Sequence, residues 1–238
     1  MAVTDLAVHT ESASTESAAS GPVHHIPPEL LLDYATGTLD EAWSLAVACH
    51  LTLCPHCRHA LGTIESAAGR MVEEIAPQPV SASGFAAVAG RLGPQERMPV
   101  RRTQPADPDG LPLPLRRHLN GGLRSIRWRW SGAGLQSFAL PVGKKKGGMV
   151  SLLKVAPGAG LPLHTHTGDE ITLVLSGGYT AGDIAFRRGD VEIADGAVEH
   201  RPLAMLDQPC ICLAIADSPL RFSGSLGWFF NQWARFSA

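Results

Sequence analysis

The feature that most constrains this chain is a cluster of potential metal ligands in the segment HLTLCPHC. His50 precedes Cys54 by four residues, and Cys57 follows three residues later. On a helix, side chains four residues apart lie on the same face, and a residue one turn further on lies close to both. Three ligands that suit zinc therefore converge on one point, and a closed tetrahedral site needs a fourth. The adjacent histidines His24 and His25 are the nearest source.

Apolar periodicity on both sides of this segment predicts a small bundle of helices. Pro28 suits the first turn of a helix, and Gly37 suits the left-handed residue that ends it. The run from Thr38 to Glu41 has the pattern of a capping box that begins a second helix, and Pro55 suits the first turn of a third. A shorter fourth helix is predicted before residue 93. The apolar stripe of the third helix is Cys57, Leu61, Ile64, Ala68, Met71 and Ile75.

The Cys-Pro-His-Cys box has two other interpretations. It is a fair sequence for a redox-active dithiol, but such a box follows a strand in a βαβ unit, whereas both flanks here are helical. Unliganded cysteines are the other interpretation, and they do not explain a histidine at helical spacing. The number and spacing of the ligands favour zinc. The N-terminus has neither a basic start nor the apolar core of a signal sequence, so we expect a cytoplasmic protein. The five cysteines are too few and too unevenly spaced for a secreted disulfide framework.

Composition divides the chain into two structured regions. Residues 1–23 are rich in Ala, Ser, Thr and Glu and are predicted to be disordered. Prolines and arginines in residues 93–112 predict a linker without regular structure. We therefore expect a helical zinc-binding domain over residues 24–92 and a second domain over residues 113–238. No segment has the roughly eighteen consecutive apolar residues of a membrane span, so no membrane association is expected.

Beyond the linker, the apolar period changes from that of a helix to that of a strand. Ile126, Trp128 and Trp130 alternate with arginines, and short apolar runs are separated by glycine-rich turns. This pattern predicts an all-β sandwich or barrel. The predicted fold class is therefore α + β multidomain, with a small zinc-pinned helical bundle followed by an all-β domain. The apolar runs lie at residues 149–155, 171–175 and 210–215.

A second group of potential ligands lies in the β region, in residues 158–177, GAGLPLHTHTGDEITLVLSG. The spacing Gly-x5-His-x-His-x3-Glu-x6-Gly of this segment resembles the first cupin motif. Histidines two residues apart on a strand face the same way, so His164 and His166 can both point into a barrel. Glu170 joins them if the short turn before it keeps its side chain inward. A second motif ends in His200. The resemblance implies a cupin barrel, the double-stranded β-helix. The ligands suit zinc, iron, manganese or nickel, and we favour zinc.

The second cupin motif departs from the usual pattern at three positions. Asp195 stands where proline is common, Gly196 is displaced, and Ala204 takes the place of the usual asparagine. These departures weaken a prediction of catalysis more than one of metal binding, because the four ligand positions are intact. Cys210 and Cys212 share one strand face, and we favour buried core thiols over a redox pair.

Residues 24–58, HHIPPELLLDYATGTLDEAWSLAVACHLTLCPHCR, resemble the zinc-binding anti-sigma domain, in which His-x3-Cys-x2-Cys follows an earlier histidine. The resemblance to the ChrR-type anti-sigma factors in particular continues into the second domain. It implies that zinc is held by His25, His50, Cys54 and Cys57. The choice of His25 over the histidine before it comes from this resemblance alone.

The resemblance implies a zinc-dependent protein that binds and inhibits an extracytoplasmic-function sigma factor and so regulates transcription. It further implies that the cupin domain senses singlet oxygen or an organic peroxide. The first 75 residues carry ten acidic residues against two arginines, which suits a basic partner. The alternative is a metal-dependent cupin enzyme of dioxygenase or isomerase type with a zinc-stapled assembly domain. We expect no catalytic residues and, without a helix-turn-helix pattern, no direct nucleic-acid contact.

Overall fold

The computed structural model describes residues 21–92, 109–119, 121–132, 134–143, 148–165, 167–218 and 221–222. Most of the predicted disordered segment, most of the predicted linker and His166 lie outside these residues. The helices are α1 Pro28–Thr36, α2 Glu41–Leu53, α3 Pro55–Glu73, α4 Gly84–Arg91 and α5 Leu113–Arg116, with a 3-10 turn at Leu123–Ser125. The strands are β1 Arg129–Gly132, β2 Leu135–Ala139, β3 Met149–Val155, β4 His164–Thr165, β5 Glu170–Ser176, β6 Gly178–Ala181, β7 Ile184–Arg187, β8 Val191–Ala194, β9 Glu199–His200, β10 Leu203–Ala204, β11 Cys210–Ala216 and β12 Arg221–Phe222.

The helix ends follow from local chemistry, with one correction to the sequence prediction. Gly37 ends α1 in the left-handed conformation, with φ of 72°, as predicted. The N-cap of α2 is Asp40, whose carboxylate accepts a hydrogen bond from the Trp43 N–H at 2.9 Å. Thr38 is the wrong choice of cap, because its hydroxyl donates to the Asp33 carbonyl at 3.1 Å and so belongs to the end of α1.

Helix α2 lies at the centre of the molecule. It contacts α1 and α3 as well as α5, β5 and β11. A helix that is apolar on most of its circumference is buried on all sides, and α2 has this character. Its buried residues are Ala42, Trp43, Leu45, Ala46, Val47, Cys49, His50 and Leu51.

The strands form one large and two small sheets. The large sheet has the order β1-β2-β3-β11-β5-β8, and its neighbouring strands are antiparallel. The small sheets have the orders β10-β6-β7 and β12-β4-β9. In β11, Leu213 and Ile215 pack in a core shared with the helices, whereas Cys210 and Cys212 point to the other face of the sheet. Both faces of β11 are therefore buried, which explains its uninterrupted apolar run.

The helices and the β region share one continuous core. Buried side chains of α1, α2, α5, β3, β5 and β11 belong to the same cluster. Two polar contacts flank it: the Trp43 indole N–H donates to Asp217 at 3.0 Å, and the Gly143 N–H donates to Glu41 at 3.0 Å. The domain boundaries at residues 92 and 113 remain predictions, because residues 93–108 are not described.

The start of the β region differs from the prediction. The alternating segment is expected to be a strand from Ile126 onward, but a 3-10 turn ends just before Ile126 and strand β1 begins only at Arg129. Trp130, expected on the apolar side of that strand, is 73% exposed. Trp128 packs at the edge of the shared core, and the Lys154 ammonium lies 5.7 Å from the centre of its ring. Among the described helices, none has the length and apolar character needed to cross a membrane.

Candidate metal centres

The first site lies where α2 ends and α3 begins. His50 is in the last turn of α2, Cys54 joins the two helices, and Cys57 is in the first turn of α3. The Cys54 Sγ accepts a hydrogen bond from the Cys57 N–H at 3.3 Å and so caps α3. His25 approaches from the segment before α1. One potential ligand atom from each of these four residues lies within 4.8 Å of the other three.

The distances between these atoms match a tetrahedral metal site. Zinc–sulfur and zinc–nitrogen bonds of about 2.3 and 2.0 Å place neighbouring ligand atoms about 3.3–3.8 Å apart. His50 Nε2 lies 3.2 Å from Cys57 Sγ, and His25 Nδ1 lies 3.3 Å from Cys54 Sγ. His50 Nδ1 donates to the Gly189 carbonyl at 2.8 Å, so its Nε2 lone pair faces the thiols. The cluster therefore fits a structural metal site.

Burial sets the protonation of this cluster in the absence of a metal. It lowers the pKa of His50 to about 4, so the imidazole is neutral at pH 7. It raises the pKa of the Cys57 thiol to about 11, and a bound cation would reverse this by stabilising the thiolate. A redox-active dithiol needs an accessible thiol with a lowered pKa. The buried Cys57 therefore argues against the dithiol interpretation.

The structure distinguishes between the two histidines ahead of α1. The His24 Nε2–H donates to the Ala185 carbonyl at 3.2 Å, and the His24 ring packs on Phe186 with centroids 4.5 Å apart. Only His25 of the pair belongs to the metal-binding group. The exposed His56 ring stacks on His25 with centroids 4.3 Å apart. Tertiary contacts thus bring His25 together with the other three residues and direct His24 elsewhere.

The second site lies inside the β region. Strands β4 and β9 pair so that His164 is opposite His200, with the two Nε2 atoms 3.1 Å apart. His164 Nδ1 donates to the Pro162 carbonyl at 2.8 Å, and His200 Nδ1 donates to the Glu192 carboxylate at 2.9 Å. When both rings are neutral, this leaves the two Nε2 lone pairs directed at the same place, as two ligands of one ion would be. Two imidazoles bound to one ion at about 2.1 Å hold these nitrogens about 3.0–3.4 Å apart, for angles at the ion between about 90° and 109°, so the pair fits a metal.

Glu170, at the start of β5, lines the same cavity as the two histidines. Its carboxylate accepts a hydrogen bond from the Thr172 hydroxyl at 2.8 Å. Burial raises the pKa of Glu170 to about 7, and a nearby cation would favour its charged form. Because Glu170 is buried and lines the cavity, its side chain points inward after the short turn before β5. The remaining predicted ligand, His166, lies outside the described residues.

Two residues beside the second site carry no recognisable signal in the sequence. Glu192 accepts the hydrogen bond from His200 and another from the Tyr179 hydroxyl at 2.5 Å. Burial would raise the pKa of Glu192, but these hydrogen bonds lower it overall. A glutamate on a short strand usually faces solvent, and only the folded sheets bring these three residues together.

The cavity around the second site is small and mostly apolar. Its volume is about 50 Å³, enough for a few water molecules. The Sγ atoms of Cys210 and Cys212 lie 3.4 Å apart on its wall. The hydrogen bond with Cys210 and burial raise the pKa of Cys212. The apolar lining of the cavity consists of Met149, Leu153, Val155, Leu161, Pro202 and Ala204.

Fold and sites together define a class of protein: a cupin-type β domain with a helical module, carrying a His/Cys cluster that fits a metal, packed on the outside of its large sheet. Residues 120–218 match the family described as the ChrR cupin-like domain. The chain is 41% identical over 203 residues to the anti-sigma-E factor ChrR of Cereibacter sphaeroides, covering 85% of this chain and 93% of that protein. The chain therefore belongs to the ChrR family of anti-sigma factors.

A solved structure agrees with this assignment. In the crystal structure of Rhodobacter sphaeroides SigE in complex with the anti-sigma ChrR, a chain is 38% identical to this one with a TM-score of 0.70. The match covers 82% of this chain and 100% of that chain. The predicted fold class, helices with a His/Cys cluster followed by a cupin domain, is confirmed.

Proposed function

We propose that this protein is an anti-sigma factor that binds and inhibits an extracytoplasmic-function sigma factor in the cytoplasm, forming a heterodimer with it. The observation that carries this proposal is the likeness, over most of the chain, to an anti-sigma factor solved in complex with SigE. The function is regulation of transcription without catalysis.

The surface that suits the sigma factor lies on the end of α3, on α4 and on the segment between them. The predicted apolar stripe of α3 is packed only near the metal site, and its later residues are exposed. Within the described residues, the apolar side chains of this surface are between 59% and 87% exposed, which is typical of a docking site. We call it the helical apolar surface, and its residues are Met71, Val72, Ile75, Val80, Phe85, Val88 and Leu92.

Zinc in the helical site would hold this module in its binding shape. His25, His50, Cys54 and Cys57 come from the segment before α1, from α2 and from the start of α3, so one ion ties three elements together. Two imidazoles and two thiolates in a closed tetrahedron are typical of structural zinc. Because the unfolded chain has no such site, metal binding contributes directly to the free energy of folding.

Substitution of a thiol ligand tests this role. The Cys54→Ser protein is expected to lose the thiolate-bound zinc and to stop co-purifying with its sigma factor. Cys49→Ala is the matched control, because Cys49 is buried on α2 outside the ligand group, with a pKa raised by burial to about 12. Metal analysis and pull-down of the sigma factor measure both effects. Full zinc content and full binding in Cys54→Ser would contradict the proposal.

The cupin domain would act as the sensor of an oxidative signal. His164, His166, Glu170 and His200 would hold a second divalent metal there, for which we propose zinc. Because zinc does not change its oxidation state, the ion would hold the side chains in place and the oxidised group would be one of its imidazole ligands. Singlet oxygen would add to the imidazole ring, or a hydroperoxide would transfer one oxygen atom to the ring and leave as the alcohol. The cavity of about 50 Å³ admits only a small molecule, which suits singlet oxygen or the peroxide end of an organic hydroperoxide. Oxidation there would favour a conformation that releases the sigma factor.

The sensor role predicts a separation of two functions in one variant. His200→Ala is expected to bind the sigma factor normally but to retain it when a singlet-oxygen source or an organic hydroperoxide is added. Glu199→Gln is the control, because its side chain is exposed on the same strand. Release of the sigma factor from His200→Ala at the wild-type rate would show that the signal is sensed elsewhere.

The enzyme alternative has less support. A dioxygenase or isomerase needs room for its organic substrate, and the cavity lined by the described residues has a volume of only about 50 Å³. Two of its carboxylates are already engaged: Glu192 binds His200 and Tyr179, and Glu170 accepts from Thr172. The ChrR family, to which this chain belongs, is a family of regulators.

A further inference from the structure

A turn of the β domain contacts a ligand of the helical metal site. Gly189, between β7 and β8, offers its carbonyl to His50 Nδ1 at 2.8 Å, although the two residues are 139 positions apart in the chain. Both partners of this bond are in the interior. The backbone also approaches the segment before α1 closely, since a Cβ atom on Gly189 would lie 2.5 Å from Pro22 Cγ.

The residue after Gly189 holds the segment that leads to His25. One oxygen of the Asp190 carboxylate accepts the backbone N–H groups of Val23 at 2.7 Å and His24 at 3.0 Å. The other oxygen accepts the Arg187 N–H at 2.7 Å, which fixes the carboxylate in its own turn. Asp190 is only 2% exposed. A buried carboxylate with three backbone donors orients whatever those donors belong to.

The same strand serves the second metal site. Glu192, two residues beyond Asp190, accepts the Nδ1–H of His200 at 2.9 Å and is itself held by Tyr179. A carboxylate that binds the far nitrogen of a ligating imidazole fixes its tautomer and its direction. Asp190 and Glu192 therefore act on different metal sites from one short segment.

We propose that the segment Gly189–Glu192 supplies the hydrogen-bonding groups that hold the metal ligands of both sites in place. Asp190 and the Gly189 carbonyl are positioning groups for the ligands His25 and His50, and Glu192 is a positioning residue for His200. The helical site is then a composite, with its four ligands from the helical region and their supports from the β domain. This inference rests on the two metal sites of the proposed function.

The test compares isosteric variants of the full-length chain loaded with cobalt in place of zinc. Thiolate-to-cobalt charge-transfer absorption reports the helical site once Cys210 and Cys212, on the wall of the second site, are replaced by serine in every variant. The total cobalt content reports both sites. Both carboxylate oxygens of Asp190 accept backbone N–H groups, whereas the amide of Asn has one oxygen and one NH2 group. In Asp190→Asn the NH2 group therefore faces a backbone N–H in either orientation of the side chain, and at least one hydrogen bond is lost. We expect cobalt at the thiolate site to be bound 10- to 100-fold more weakly, the range for supports of metal ligands.

Two further variants serve as controls. Asp217→Asn weakens another contact between an α2 side chain and the β domain, the bond from Trp43, and is expected to leave the affinity of the thiolate site within about twofold of wild type. Glu192→Gln is expected to weaken metal binding at the second site, inside the β region, and to leave the thiolate absorption of the helical site unchanged. Metal that Asp190→Asn retains at the second site, inside the β region, would show that this variant is folded.

Three results would overturn this inference. Equal thiolate-site affinities in Asp190→Asn and Asp217→Asn would show that Asp190 has no special role at the metal. Loss of both metals together from Asp190→Asn would make it a support of the whole fold. Unchanged barrel-site affinity in Glu192→Gln would remove the second half of the assignment. Absence of thiolate absorption from the wild-type protein would instead contradict the proposed metal site itself.

Discussion

Single residues at the contact between the helices and the β domain have little freedom to change. Gly189 shows why, because it combines a left-handed backbone, with φ of 92°, and a close approach to Pro22. A side chain there meets both backbone strain and a steric clash. Gly182 has a similar backbone, with φ of 59°, but a Cβ atom added to it would meet no heavy atom of the described residues within 4 Å.

Comparing alanine substitutions at these two glycines separates the cost of backbone strain from the cost of the steric clash. Gly182→Ala is expected to lower the free energy of unfolding by about 1 kcal/mol, the cost of left-handed backbone alone. Gly189→Ala is expected to cost about 3 kcal/mol or more, because the segment before α1 must also move. Urea unfolding of the metal-free proteins measures both values. Equal costs would show that the contact with Pro22 is not rigid.

Acid is expected to destabilise the metal-free protein through His50. The pKa of His50 in the fold is about 4, below its ordinary value of 6.5, because burial disfavours the charged ring. Between these values the unfolded chain binds the extra proton, so stability is full above pH 6.5 and falls as the pH drops toward 4. The loss amounts to about 3 kcal/mol. Thermal unfolding across this pH range measures it, and a His50→Gln protein should lack this part of the dependence.

At the scale of elements, α3 divides into two halves with different roles. Its first turn carries Cys57 into the metal site, whereas its last turns and α4 expose the helical apolar surface. An amphipathic helix normally buries its apolar stripe. Within the described residues that stripe is covered only near the metal site, so the exposed half is available to a partner.

A charge on the helical apolar surface should weaken partner binding without affecting the metal. Phe85→Glu, at a residue that is 86% exposed, is expected to lower the affinity for the sigma factor at least tenfold, which corresponds to about 1.4 kcal/mol. Leu206→Glu is the control, because Leu206 is 84% exposed on the β domain. Titration calorimetry measures both. Wild-type affinity in Phe85→Glu would place the partner on another surface.

At the scale of the whole molecule, the helices are part of the core of the β domain. Helix α2 packs on β5 and β11 of the large sheet, and α5 packs on α2, so neither region buries all its apolar surface alone. Leu115 of α5 is fully buried in this shared core. A continuous core predicts that the two regions unfold together.

Leu115→Ala tests this cooperativity. The cavity is expected to lower the free energy of unfolding by about 2–5 kcal/mol and to shift one thermal transition that includes both helical and β signals. Leu203→Ala, at a residue that is 43% exposed, should cost much less. Calorimetry together with circular dichroism measures the transitions. Two separate transitions, with only one of them shifted, would show that the regions unfold independently.

Much of the architecture is accessible from local patterns. Pro28 and Gly37 mark the bounds of α1 because their backbone preferences are intrinsic, and Pro55 marks the start of α3 for the same reason. The pattern at Thr38 misassigns the N-cap of α2, because a threonine can equally bind the end of the preceding helix. Trp130 is expected in an alternating strand, and its exposure depends on which sheet face is covered.

The sequence by itself determined which ligands stand together, because spacings of three or four residues on a helix and two on a strand fix local geometry. It thus predicted the group of His50, Cys54 and Cys57 and the cupin motif. Only the tertiary structure brings His25 into that group and sets the Asp190 carboxylate against the segment before α1 and the Glu192 carboxylate against His200. Those contacts join distant parts of the chain, and they exist only once the sheet has packed against the helices.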